Sequence, residues 1–171
     1  MAELSLQERL QPSLLDRLTD NEPEKKVESM RQRVLSANQL KEGVKRDLVW
    51  LMNCCGLGSA VDLEEYPEVE RSVVNYGLPE LTGTTVSTLD VEGLERALKQ
   101  VLQEFEPRIL KNSIQVRLVP DEERMNHNAL VMEIEGTLWA QPTPLQILLK
   151  TELDLDTGDV KLHDSLSMSG R

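Results

Sequence analysis

Aromatic side chains are scarce in this chain, which has two tryptophans, two tyrosines and one phenylalanine among its 171 residues. Sugar-binding grooves and base-stacking platforms usually need several aromatic rings, so both kinds of site are disfavoured. A folded core must therefore consist mostly of leucine, valine and isoleucine. The length corresponds to about one domain, which is enough to bury such a core without disulfides or metals.

Cysteine is nearly absent too, since only Cys54 and Cys55 are present and they are adjacent. Neighbouring residues cannot easily reach unstrained disulfide geometry, so no disulfide framework is expected and a reducing compartment fits the sequence. Residues 1–11 alternate leucine with polar residues and lack the continuous apolar core of a signal peptide. No stretch approaches the ~20 apolar residues that span a bilayer. These absences predict a cytoplasmic protein.

Positive charge is in short supply, because 30 acidic residues outnumber 19 basic ones and the net charge is -11. A domain this acidic repels phosphate backbones, so nucleic acid is a poor partner. Anionic membrane surfaces are disfavoured for the same reason. We therefore expect no nucleic-acid binding and no direct insertion into a membrane.

Residues typical of catalytic and metal sites are also few. The only histidines are His127, in a polar loop, and His163, near the end of the chain, and neither has metal-ligand spacing with the cysteines. Cys54 and Cys55 close an apolar helix, so we expect two small, partly buried side chains there and no nucleophile. Gly56-Leu57-Gly58 is too short for a phosphate-binding loop. The sequence thus predicts no enzyme activity, no cofactor and no metal.

The first 35 residues are predicted to form an extended N-terminal docking arm, separate from a folded domain over residues 36–171. Charges of both signs are mixed along the arm. Leu14, Leu15 and Leu18 nevertheless share one face at helical spacing. Two interpretations of this apolar turn are open: it docks onto another protein, or it covers the core of its own domain.

Apolar residues recur at helical spacing in two long segments of the folded domain. The first segment begins at Ser36, which matches a capping box with Gln39, and stops near Asn53. The second follows Asp90, which can cap it, and ends before Pro107 because the residue preceding a proline avoids helical geometry. Its apolar stripe consists of Val91, Leu94, Leu98, Val101, Leu102 and Phe105. Two amphipathic helices are therefore predicted.

A further helix is predicted between these two, beginning at Pro67. The fixed φ and missing N–H of proline suit the first helical position. Val69, Val73 and Tyr76 would then lie on one face of this helix. Gly77 is expected to end it as the residue that follows its C-terminal turn.

After residue 113, the period of the apolar residues changes to two, which is typical of strands. The alternating apolar residues are Ile114, Val116, Leu118, Leu130, Met132, Ile134, Leu145, Ile147, Leu149, Leu153 and Leu155. A turn at 156–159 lets Val160 and Leu162 return as a last short strand. About three helices followed by strands predict an α+β fold with a small, mostly antiparallel sheet and an N-terminal arm.

The tripeptide Glu106-Pro107-Arg108 follows the last predicted helix and allows two interpretations. It is either a helix stop with two solvated charges or a rigid corner that presents a fixed acceptor and a bidentate donor to another chain. Glu106 is also the clearest candidate for the acid of a glycosidase, because it lies at a helix end. An arginine folded back onto this glutamate would favour the charged carboxylate, whereas a general acid needs the opposite.

Short motifs occur in a fixed order along nearly the whole chain, apart from Cys54 to Ala60. They are Ser13 to Leu18, Arg46-Asp47-Leu48 with Trp50-Leu51 and Asn53, Tyr66-Pro67-Glu68-Val69, Ser72 to Pro79, Phe105 to Leu110, Glu135-Gly136 with Leu138-Trp139, Pro142 and Leu145, and Thr157-Gly158. Each motif alone is weak. As an ordered set they resemble the contractile-phage baseplate wedge family once called "lysozyme-like", and especially its bacterial branch, TssE of type VI secretion systems.

The resemblance implies a structural baseplate component that joins TssF and TssG in a wedge, with Glu106, Pro107 and Arg108 contacting TssF. It also implies a sheet similar to that of the contractile sheath, which would offer the first strand pairing to TssB and TssC. An open edge in the segment Leu145 to Leu155 or in the terminal hairpin could accept such a strand. Contacts with TssK and the spike hub are further expectations.

Two alternatives to this function are open. One is a peptidoglycan-cleaving hydrolase, which follows the old family label and rests on the abundant carboxylates. The other is a generic soluble interaction module.

Overall fold

The protein is described by a computed structural model in which helices precede strands. The described residues are 13–19, 23–24, 36–81, 83, 85, 89–120, 129–140 and 144–163. His127 with the loop predicted around it, Pro142 and most of the predicted arm lie outside these ranges. Within the described ranges, four α-helices are followed by a four-stranded sheet, so the predicted α+β class is confirmed. No helix in these ranges is both long and apolar enough to cross a bilayer.

The two long helices begin where the sequence predicts. The α-helices of the described residues are α1 (Leu14–Leu18), α2 (Ala37–Met52), α3 (Pro67–Glu70) and α4 (Val91–Phe105). At the start of α2, the Ser36 hydroxyl accepts a hydrogen bond from the Gln39 N–H, and the Gln39 side chain accepts one from the Ser36 N–H. At the start of α4, the Asp90 carboxylate accepts a hydrogen bond from the Gly93 N–H at 3.0 Å. Both helices therefore have their first amides satisfied.

The helix predicted from Pro67 through Tyr76 is wrong, because the structure has two short pieces there. α3 ends after one turn, and a single 3-10 turn, Val73–Asn75, follows it. The Ser72 hydroxyl accepts a hydrogen bond from the Val74 N–H at 3.3 Å and so begins the second piece. Val73 is 82% exposed, so the predicted common apolar face is absent. A serine that bonds its local backbone competes with continuation of a helix.

Gly77 lies where two loops meet and does not follow an α-helix as predicted. Its φ is +134°, and a Cβ at this position would lie 2.4 Å from the carbonyl oxygen of Cys54. The close approach lets the Leu78 N–H donate to the Cys54 carbonyl at 2.8 Å and the Gly56 N–H donate to the Leu78 carbonyl at 2.9 Å. Glycine is required because it has no side chain and accepts positive φ.

Cys54 and Cys55 are free and exposed, so the expectation of partial burial is wrong. The reason is the position at which the helix ends. Met52 is the last residue of α2 and Asn53 is its C-cap. Both cysteines therefore lie in the turn beyond the apolar stripe of the helix.

The sheet is antiparallel with the strand order β1-β2-β3-β4. Its strands are β1 (Gln115–Pro120), β2 (Ala129–Leu138), β3 (Leu145–Asp154) and β4 (Val160–His163). Val116 lies opposite Ile134, which lies opposite Leu149, so apolar residues share one face. That face joins one core with the apolar stripes of α2 and α4. The opposite face carries charged residues, such as the ion pair of Lys150 with Glu133.

Candidate functional site

The corner formed by Glu106-Pro107-Arg108 is the place where α4 ends and the chain turns toward the sheet. Glu106 has φ -118° and ψ 79°, which lie outside the helical region because a proline follows. The carbonyl of Arg108 accepts a hydrogen bond from the Trp139 N–H at 2.8 Å. The corner is therefore fixed between the end of α4 and the end of β2.

The residues directly after the corner continue this attachment to β2. Ile109 is buried and forms a β-bridge with Leu138. The Leu110 N–H donates a hydrogen bond to the Thr137 carbonyl at 2.9 Å. A Cβ at Gly136 would lie 2.7 Å from the Cγ2 of Ile109, so glycine at this strand position leaves the space that the isoleucine fills.

Glu106 points into the protein and is only 3% exposed. Arg108 folds back onto it and donates from Nε to Oε1 at 2.7 Å and from Nη2 to Oε2 at 2.5 Å. The backbone N–H of Arg108 also donates to Oε1, at 3.1 Å. The interpretation of the tripeptide as a stop with two solvated charges is therefore wrong. The alternative pairing, in which the arginine folds back onto the glutamate, is confirmed.

This pairing also bears on the glycosidase interpretation of Glu106. Both of its oxygens accept hydrogen bonds from Arg108, and the side chain has almost no exposed surface. A general acid must reach the leaving-group oxygen of a bound sugar. Glu106 presents no accessible oxygen for that purpose.

Arg108 belongs to a chain of five alternating charges. Its Nη2 donates to Oδ2 of Asp47 at 2.8 Å. Arg46 donates from Nη2 to the other oxygen of Asp47 at 2.8 Å, and from Nη1 to Oδ1 of Asp16 at 2.5 Å. The order Glu106, Arg108, Asp47, Arg46, Asp16 runs from the corner across α2 to α1. We call these five residues the charge chain.

The charges in this chain reinforce one another. Burial alone lowers the pKa of Arg108, but the carboxylates of Glu106 and Asp47 outweigh burial and raise this pKa above its ordinary value. The hydrogen bond from Arg46 lowers the pKa of the Asp16 carboxyl below 3.8, by more than partial burial raises it. Arg108 and Asp16 are therefore both charged at neutral pH.

The predicted apolar turn is α1, and its leucines face away from the domain core. The Ser13 hydroxyl donates to Oδ2 of Asp16 at 2.7 Å, which leaves the other carboxylate oxygen for the bond to α2. Leu14 is 71% exposed, Leu15 43% and Leu18 75%. The interpretation in which this turn covers its own core is therefore wrong. The docking interpretation stays a prediction.

An open depression of about 300 Å³ lies between α1 and the corner. Its lining includes Leu15, Trp50, Tyr76, Phe105 and Arg108. Arg46 lies 5.2 Å from the centroid of the Trp50 ring, and Tyr76 meets Phe105 edge-to-face with the ring centroids 5.4 Å apart. Aromatic rings beside arginines are typical of protein–protein contact sites. The depression therefore favours a partner protein over a small substrate.

The sequence predicts the corner and the leucines but not the charge chain that connects them. Arg108 and Asp47 are 61 positions apart, and Arg46 and Asp16 are 30 positions apart. The adjacent Arg46-Asp47 pair within the first helix motif is the one local signal. Among the described residues, no three His, Cys, Asp or Glu side chains form a group that could hold a metal ion.

A small α+β domain with a corner fixed by ion pairs and with exposed leucines on α1 is typical of a protein that binds other proteins. Comparison with known families matches residues 38–143 to the family described as "Baseplate wedge protein gp25". The match covers more than half of the chain, which therefore belongs to this family. Membership confirms the resemblance to the baseplate wedge family and gives the chain a structural role in a baseplate. Comparisons with curated proteins and with solved structures found no match.

Proposed function

We propose that the chain is a baseplate subunit of the TssE branch, acting in the cytoplasm as part of a type VI secretion system. It joins TssF and TssG in a wedge and starts assembly of the TssB and TssC sheath by offering a strand edge. It also lies near TssK and the spike hub, and it has no enzymatic role. The family match over residues 38–143, which includes the corner, is the observation that carries this proposal.

In this proposal, the corner at residues 106–108 contacts TssF. Glu106 is buried, so its part is to fix the guanidinium of Arg108 and not to touch the partner directly. Pro107 is exposed and Arg108 is partly exposed, so these two side chains form the contact surface. A guanidinium already fixed by two carboxylates loses little conformational entropy when a partner binds.

The exposed leucines of α1 form a second contact with the wedge subunits. The bond from Arg46 to Asp16 fixes this helix on α2, so Leu14 and Leu18 stay presented to solvent. Full burial of a leucine side chain is worth roughly 1.5–3 kcal/mol, so two such residues can supply a substantial part of the binding energy. A partner with an apolar groove is the matching surface.

Co-purification with TssF and TssG tests the wedge contact. Leu18→Glu places a charge on the exposed face of α1, and we expect it to reduce capture of TssF and TssG at least tenfold. Val61→Glu is the matched control, because it adds the same charge at an exposed valine that does not line the depression between α1 and the corner, and it should leave capture unchanged. Failure of the unmodified chain to capture TssF and TssG overturns the proposal. Equal capture by both variants overturns only the role of α1.

A further inference from the structure

We infer that β4 is the edge at which this sheet accepts a strand from another chain, and that pairing begins at Leu162. The inference rests on the proposed function, since it names the edge through which sheath assembly would start. It follows from the backbone N–H and C=O groups that point outward on the two edge strands, β1 and β4.

The β1 edge is blocked at two of its three outward positions, Leu118 and Pro120. The Leu118 N–H points away from β2 and donates to Oε1 of Glu95 on α4 at 2.8 Å. On an antiparallel edge strand, the backbone groups of every second residue point away from the sheet. The backbone groups of Val116 and Pro120 therefore point to the same outer edge as those of Leu118. Pro120 has no N–H to donate. A strand that pairs along the whole of β1 would have to break the bond to Glu95, and it would still lack a donor at the proline.

The β4 edge is blocked at its first residue. The Val160 N–H donates to Oδ1 of Asn53 at 2.9 Å, and Nδ2 of Asn53 donates back to the Val160 carbonyl at 3.0 Å. A side-chain amide carries one acceptor and two donors, so it can pair with a single residue as a neighbouring strand would. Asn53, at the end of α2, therefore takes the place of a fifth strand at this one position.

The next outward position on β4, Leu162, has no occupant among the described residues. Lys161 lies opposite Glu152 of β3. Leu162 is two residues beyond Val160, so the backbone N–H and C=O of Leu162 point to the same outer edge as those of Val160. The N–H and C=O of Leu162 have no hydrogen-bond partner among the residues that the structure describes. An added strand can therefore pair at Leu162 without displacing any described contact.

The side chains of β4 indicate what kind of strand fits. Val160 is buried and Leu162 packs against the core, so alternate residues of an added strand would extend the apolar layer. Lys161 is exposed on the opposite face, and an acidic residue beside it would be favoured. The occupant is thus an extended segment with alternating apolar and acidic residues, which the proposed function places in a sheath subunit. Because Asn53 fixes where pairing can begin, it also fixes the register.

Amide hydrogen exchange of the full chain, with and without purified TssB and TssC, tests the edge without any substitution. We expect the Leu162 amide to exchange at least tenfold more slowly when the sheath subunits are present, while the amide of Val116 on β1 does not change. Slower exchange at Val116 with no change at Leu162 overturns the inference.

A pair of variants separates the backbone from the side chain. Leu162→Pro removes the outward N–H, whereas Leu162→Ala keeps it and shortens the side chain. We expect the proline variant to capture TssB and TssC at least tenfold less than the alanine variant. Equal capture by the two variants contradicts the edge assignment alone. Failure of the unmodified chain to bind sheath subunits removes the proposed function together with the edge.

Discussion

At the scale of single residues, Arg108 is the side chain of the corner that bonds to two different carboxylates. Its guanidinium donates to Glu106 through two nitrogens and to Asp47 through one of them. Glu106 is buried, so its charge is compensated by protein groups and not by water. An unpaired buried charge is strongly destabilising. Substitutions of Glu106 or Arg108 are therefore expected to change the stability of the fold as well as any contact with a partner.

Arg108→Ala is expected to lower the free energy of unfolding by about 3–5 kcal/mol, because it leaves the buried Glu106 carboxylate without its ion pair. Urea unfolding measures this difference. Arg117→Ala, on the exposed face of β1, is the control and should change the free energy by no more than about 0.5 kcal/mol. A loss below about 1 kcal/mol in the Arg108 variant would show that the charge chain does not stabilise the fold.

The pKa of Asp16 tests the contact between α1 and α2. Its pKa is lowered below 3.8 by Arg46, so its stabilising effect is complete at pH values above 3.8 and is lost as pH falls through the folded-state pKa. An NMR titration of the Asp16 carboxyl should give a pKa below 3.8, and Arg46→Gln should move that pKa upward. A pKa that does not respond to Arg46→Gln would contradict the contact between α1 and α2.

At the scale of elements, α1 depends on its neighbours. A helix of five residues is far too short to be stable alone in water. Among the described residues, the bond between Asp16 and Arg46 attaches this helix directly to α2. Leu14 and Leu18 add little to that attachment, because most of their surface is exposed.

We expect Arg46→Gln to speed tryptic cleavage after Arg17, which lies within α1, by severalfold. Without the ion pair, α1 would leave α2 more often and expose its backbone to the protease. Lys45→Gln is the control, since it alters the neighbouring charge and its exposed pair with Glu42, which is worth little. Equal cleavage rates in the two variants would show that α1 is held by something other than Arg46.

Asn53→Ala tests the attachment of β4 to α2. The variant loses both hydrogen bonds to the backbone of the buried Val160, and we expect a loss of about 1–3 kcal/mol in the free energy of unfolding. Thermal unfolding measures it against Asn112→Ala, an exposed asparagine before the sheet. If the Asn53 variant is as stable as the control, water replaces the asparagine amide without lowering the free energy of unfolding, and the prediction is wrong.

The elements also show which parts of the fold a sequence can predict. Local signals predict α2, α4 and the sheet from the sequence. These signals are the caps at Ser36 and Asp90 and the alternating apolar residues of the strands. The helix from Pro67 through Tyr76 is not, because Ser72 interrupts it. The bond between Asn53 and Val160 joins residues 107 positions apart, and no local pattern indicates it. The burial of Glu106 likewise depends on residues that are distant in the chain.

At the scale of the whole molecule, α2 connects the two surfaces that the proposal uses. Its residues Arg46 and Asp47 belong to the charge chain at the corner, and its C-cap, Asn53, holds the start of β4. Asp47 and Asn53 are six positions apart, which corresponds to about 9 Å along the helix. One rigid element thus fixes the position of the corner relative to the strand edge. That arrangement suits a subunit that joins a wedge to a sheath.

A cryo-EM map of this chain bound to TssF, TssG and the first ring of TssB and TssC tests the central claim most directly. We predict that residues 106–108 and the leucines of α1 contact the wedge subunits, and that a strand from the sheath lies along β4 from Leu162. A map in which the chain touches neither TssF nor TssG, or in which its sheet has no contact with the sheath, would contradict the account.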